Sequence, residues 1–141
     1  MIERALVVLA VGVAAAASAD ERPAALSWDA LAQVKVVREK DRYVPEFPKA
    51  VAALEQKQVR LEGFMIPLKT GALQTHFLLS AMPSECGFCV PGGAEQFAEV
   101  QAKAGVKYGL EPIVMSGKFE LVRDGSGGLL YRLTDAVAVN R

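Results

Sequence analysis

The chain has 141 residues, with 16 Lys+Arg against 16 Asp+Glu, 52% hydrophobic residues, two cysteines and one histidine. That is the length of a single domain, and the zero net charge speaks against a nucleic-acid or anionic-membrane binder, which carries a basic surplus. No G-x-S-x-G elbow, phosphate-cradling glycine loop or H-E-x-x-H pattern is present, which favours a binding protein over an enzyme without deciding between them.

Residues 1–19 read as a secretory signal. Arg4 and the α-amino group give a weakly positive start, offset by Glu3, then Ala5 to Ala17 form an apolar stretch and Ala17-Ser18-Ala19 offers an A-x-A cleavage site. Thirteen residues as a helix reach only about 20 Å, short of the hydrocarbon core at about 30 Å, which argues against an anchor. Cleavage after Ala19 is expected to release a soluble single domain, 20–141, into the periplasm, where thiols meet oxidants. Glu3 and Arg4 leave together, so the mature chain stays balanced at 15 against 15.

Along the mature chain, Leu26 to Leu31 predicts a short helix start, with Ser27 as N-cap and Leu26 stapling onto Leu31. Trp28 reads as a packing residue. Lys35 to Arg42 is charged and aperiodic, and Tyr43-Val44-Pro45-Glu46-Phe47-Pro48 predicts an extended connector, because residues before proline are pushed out of the α region. Pro48 can open a second helix, with Val51 and Leu54 on one face. The period then changes. Val59 to Gly63 alternates as a half-buried strand and Phe64 to Leu68 continues it with both faces apolar. Gly63 predicts a bend or bulge, as at a barrel corner. After a turn around Gly71, Thr75 to Ser80 returns as the second strand of a hairpin.

Ala94 to Ala104 is helical by composition but strand-like in its alternation, and periodicity alone leaves it open. Ile113 to Val122 predicts a strand broken at Gly117, Asp124 to Gly128 a turn, and Leu129 to Val139 the final strand. Strands with short turns, two bent at internal glycines, predict a mainly β domain with short N-terminal helices. A small five-stranded OB-like barrel is the expected architecture, with a β-sandwich as the alternative.

Cys86-Gly87-Phe88-Cys89 is the one constellation that chemistry can exploit. C-x-x-C spacing suits a local disulfide, a redox pair, or two ligands of zinc or copper(I). Val90-Pro91-Gly92-Gly93 follows directly, so no helix can start cleanly at Cys86. The 26 residues from Cys86 to Pro112 are also too few for the helix and strand of a thioredoxin fold. A metal needs further donors: His76 is the only imidazole, but it lies at the far end of its strand from Ser80. Glu85, Glu95 and Glu99 are the oxygen candidates. The three readings of the cysteine pair stay open.

A set of ordered motifs resembles a known family. These are Tyr43-x-Pro45-x-Phe47-Pro48, Val59-x-Leu61-x-Gly63-Phe64-Met65-Ile66-Pro67-Leu68, Phe77-Leu78-Leu79, a Cys86-centred loop ending in Gln96, and Tyr131-x-Leu133-x-x-Ala136. Together, across residues 26–139, they resemble the secreted bacterial domain of unknown function DUF3299. The resemblance implies a barrel-like β domain and favours a strand over Phe97 to Ala102. In the family pattern the loop reads Ala-Cys-Ile-His, then prolines, then Asn-Gln. Here Phe88 stands at the histidine place, Cys89 follows it, and Pro91-Gly92-Gly93 replaces the proline run. If the family pair holds metal, Cys89 could replace the imidazole.

The expected function is a periplasmic binding or accessory protein. It would capture zinc or copper through Cys86 and Cys89, with His76 as the weaker candidate ligand, for a transport or trafficking partner. Its rivals are a thiol-disulfide protein using the same pair and a structural disulfide within a protein-interaction module.

Overall fold

The computed structural model describes residues 22–86 and 89–140; the segment 1–19, expected to be a secretory signal, and the Gly87-Phe88 pair lie outside the described residues. The elements run β1 (Ala24–Ala25), α1 (Trp28–Leu31), β2 (Lys35–Glu39), β3 (Arg42–Glu46), α2 (Lys49–Ala52), β4 (Gln58–Pro67) and β5 (Leu73–Ser80). Then come a 3-10 turn (Ala94–Gln96), β6 (Phe97–Lys107), β7 (Ile113–Leu121), a second 3-10 turn (Ser126–Gly128) and β8 (Tyr131–Val139).

Strands β4, β5, β6, β8 and β7 pair in that order, and β7 pairs back onto β4, so the sheet closes into a five-stranded barrel with β1 added at its edge. All barrel pairings are antiparallel except β6 with β8. Counted along the chain, the ring runs first, second, third, fifth, fourth, the Greek-key connectivity of an OB-type barrel. Closure excludes the sandwich.

Both interior glycines mark the places where the barrel turns. β4 pairs with β7 from Gln58 to Gly63 and with β5 from Phe64 to Pro67, so Gly63 sits where the strand changes partner. A Cβ there would lie 2.5 Å from the Ser80 carbonyl oxygen, so this glycine is required by close approach of another backbone. The β7–β8 register shifts between Ser116 and Lys118, around Gly117. The ambiguous segment is strand β6. Ala98 and Val100 are fully buried in the core, and Gln101 on the alternate face is exposed.

The expectation for Lys35 to Arg42 needs correcting. β2 and β3 form a two-stranded hairpin whose last paired residues, Glu39 and Arg42, leave only Lys40 and Asp41 as the turn. Lys40 takes φ 53, the left-handed region that a two-residue hairpin loop commonly uses, without the glycine or asparagine that would have announced it.

The barrel interior is filled by Val59, Leu61, Phe77, Leu79, Val100, Met115, Phe119, Tyr131 and Leu133, all 1% exposed or less. The N-terminal helices are short but well tied. The Ser27 hydroxyl accepts from the Ala30 N–H at 3.2 Å, as the cap pattern predicts. The Trp28 indole N–H donates to the Glu62 carbonyl at 2.7 Å, and the Tyr131 hydroxyl donates to the Leu31 carbonyl at 2.6 Å. The Tyr131 ring lies between Phe47 and Phe119, with centroids at 5.7 and 5.8 Å. Burial, reinforced by the nearby Glu95 charge, pushes its phenol far above the ordinary tyrosine value, so it stays a donor. Tyr131→Phe is expected to lower stability by about 1 kcal/mol, because the Leu31 carbonyl loses its short buried hydrogen bond and keeps only the Val34 N–H at 3.4 Å. A urea midpoint unchanged from wild type would remove the hydroxyl from that role.

Candidate functional site

The cysteine pair lies in residues 81–96, the longest connection in the barrel, between antiparallel neighbours β5 and β6. The root of this loop is closed by the Ala81 N–H donating to the Gln96 carbonyl at 2.9 Å. A further bond runs from the Met82 N–H to the hydroxyl of fully buried Ser80, at 3.2 Å. A sixteen-residue excursion with its ends joined is an Ω-loop, a type of loop that frequently carries function. Its return limb cannot be helical through Pro91-Gly92-Gly93. Gly92 has φ 83, and the Gln96 side chain lies where its Cβ would stand.

At the tip, Cys86 and Cys89 form a disulfide with their Cα atoms 5.2 Å apart. The Cys89 N–H also donates to the Cys86 carbonyl at 3.0 Å, so backbone and sulfurs both join the two cysteines. Ser84, two residues upstream, aims its hydroxyl at both carbonyls of the pair, Cys86 O and, at 2.7 Å, Cys89 O. A hydroxyl carries one hydrogen, so it serves the two acceptors in turn or shares it between them. Both cysteines are exposed. The result is a solvent-facing bridge held from beneath by one serine. Sequence reasoning missed Ser84, although a serine two residues before a turn is a known local hydrogen-bonding arrangement.

His76 is not brought to the sulfurs. It stands on β5 four residues before Ser80, about 13 Å along the strand. There its Nε2 meets Glu99 Oε1 at 2.7 Å. The other oxygen of Glu99 accepts from Arg132 Nε. Arg132 also lies 3.9 Å from the Glu120 carboxylate, which in turn accepts from the Thr134 hydroxyl at 3.2 Å. The result is a polar row across β5, β6, β8 and β7 on the outer face of the barrel. Burial would raise the Glu99 pKa, but hydrogen bonds from Arg132 and His76 outweigh it and hold the carboxyl below its ordinary value. Glu99 is therefore an anchor shared by Arg132 and His76, each of its oxygens engaged by one of them on the outer face of the barrel. Among the described residues no group of three or more His, Cys, Asp and Glu side chains could hold a metal ion, so Glu85 and Glu95 do not complete one with the cysteines.

The OB-like ring with a long cysteine loop after its second strand can be set beside known proteins. The DUF3299 family, described as a protein of unknown function, matches residues 13–134. The chain belongs to the DUF3299 family. A crystal structure of a DUF3299 family protein from Pseudomonas aeruginosa superposes with a TM-score of 0.56 at 20% identity, covering 85% of this chain and 98% of that one. At that identity the likeness is one of fold. No curated protein matches the chain significantly. Family membership thus accounts for the barrel, and the chemistry has to be argued from the loop.

Proposed function

We propose that this DUF3299 member is an exported accessory protein whose working group is the Cys86–Cys89 pair, cycling between disulfide and dithiol. The observation that carries the reading is the placement of an exposed disulfide at the tip of the barrel's longest loop. A bridge across so short a loop adds only about 2 kcal/mol by chain entropy. The barrel interior is already filled by a continuous apolar core, so the fold has little need of the staple. Exposure lets an attacking thiolate reach either sulfur. Export supplies the compartment in which such a pair is reoxidised, and the A-x-A site at Ala17-Ser18-Ala19 supports it.

A metal reading accompanies the reduced state. Zinc in a structural site takes four ligands and would need donors from outside this loop. Copper(I), which favours thiolates, is served by two sulfurs on a single turn, and the 5.2 Å Cα separation suits two thiolates on one ion. Exposed thiolates could pass that ion to a transport partner by ligand exchange.

The protein isolated from the periplasm should begin at Asp20 and equilibrate with glutathione buffers at a potential above about −300 mV, the upper range of stable structural bridges. A lower potential would make the disulfide structural. The reduced protein should bind one copper(I), and Cys89→Ser should lose it. Unchanged tight binding by that variant would sink the two-thiolate site.

A further inference from the structure

Next to the disulfide turn is a cavity of about 210 Å³. Phe64 of β4 forms one wall, Pro83 and Ser84 of the outgoing loop limb a second, and Tyr108 and Leu110 of the β6–β7 connection a third. Ser84 belongs to both features, since its hydroxyl also holds the Cys86 and Cys89 carbonyls. The cavity wall and the reactive turn are therefore one unit. Leu110 is 77% exposed at the rim, so its side chain has surface to bury against an occupant of the cavity.

Size and charge select the occupant. The volume is below the roughly 300–1,000 Å³ of small-molecule sites and suits one side chain. No charged residue is among its described lining residues. A charged small thiol such as glutathione would find no counter-charge there, whereas an apolar side chain of a polypeptide would bury its surface.

We propose that this cavity is the recognition subsite for an extended segment of a partner protein, one that presents a cysteine to the disulfide and an aliphatic or aromatic residue to the cavity. The inference rests on the redox reading above. In the exchange, the partner's thiolate attacks one sulfur of the Cys86–Cys89 bond, that bond breaks, and the other cysteine leaves as a thiolate and takes up a proton. The partner's second thiolate then attacks the partner sulfur of the mixed disulfide and releases the remaining cysteine. The partner dithiol is oxidised to a disulfide by loss of two electrons, and the pair is reduced to a dithiol by gaining them.

For each spacing of one to four residues between the first cysteine and the variable position, the test uses two synthetic dithiol peptides, identical except for Leu or Ser, and the spacing with the largest difference is compared, with dithiothreitol as the reductant that needs no subsite. Bridge reduction is followed by alkylation and mass spectrometry. Wild type should react about tenfold faster with the Leu peptide, the scale of burying one aliphatic side chain. Leu110→Asp and the uncharged Leu110→Ala, both at an exposed position, should erase most of that preference and leave the dithiothreitol rate within about twofold. Equal peptide rates in wild type, or a preference kept by both variants, would overturn the subsite while rapid dithiothreitol reduction leaves the redox pair standing. A bridge that dithiothreitol cannot reduce in the folded protein overturns both.

Discussion

Gly63→Ala is expected to destabilise the barrel by about 3 kcal/mol, at the upper end of what overpacking a tight contact costs. The reason is contact, since a Cβ at Gly63 would lie 2.5 Å from the backbone oxygen of Ser80 and 3.0 Å from the Leu79 side chain. A backbone oxygen cannot rotate away as a side chain can, so β4 and β5 must separate where β4 changes partner. Ser80 is the last residue of β5, and the cysteine loop begins at the next one, so the displacement also moves the root of the loop. Urea unfolding should show a lower midpoint with an unchanged slope. Gly109→Ala is the control, because nothing lies within 4 Å of a Cβ there. If both variants unfold at the wild-type midpoint, the close approach does not constrain the fold.

Glu99→Ala is expected to cost about 2 kcal/mol near neutral pH, since it takes the shared acceptor from both Arg132 and His76. The full penalty of breaking a buried ion pair does not apply, because the two side chains are 30% and 43% exposed and regain water. Glu99→Gln keeps the shape and removes the charge, which makes it the cleaner probe of pH dependence. The folded-state pKa of Glu99 is lowered, so its contribution is complete above the ordinary glutamate value near 4.5 and fades as pH falls through the folded value. The stability gap between wild type and Glu99→Gln should therefore narrow steadily on acidification below about 4.5. A gap of equal size at pH 7 and pH 3 would show that the carboxylate's charge plays no part.

Much of the barrel was visible in local pattern. The β4–β5 hairpin followed from alternation around a glycine turn, and the corner at Gly63 and the bulge at Gly117 followed from glycines inside strands. What failed locally had non-local causes. The β2–β3 hairpin was hidden because Lys40 and Asp41 are not typical of so short a turn, and pairing with β3 holds Lys40 at positive φ. The strand from Phe97 onward could not be separated from a helix by its own residues. Ala98 is small enough for either, and what decides is that the segment pairs with β5 on one side and β8 on the other.

The candidate site divides in the same way. The sequence by itself singled out Cys86 and Cys89 as the one pair at chemically useful spacing, with three readings open, and showed that proline and glycines keep a helix from starting at Cys86. Only the tertiary structure decided what surrounds them. His76 pairs with Glu99, 23 residues away, because neighbouring strands bring them together on the outer face. The apolar cavity joins Phe64, Pro83 and Leu110 from three separate parts of the chain. Bond chemistry is a property of residue type and spacing, whereas a ligand shell or a recognition surface depends on which strands the barrel places side by side.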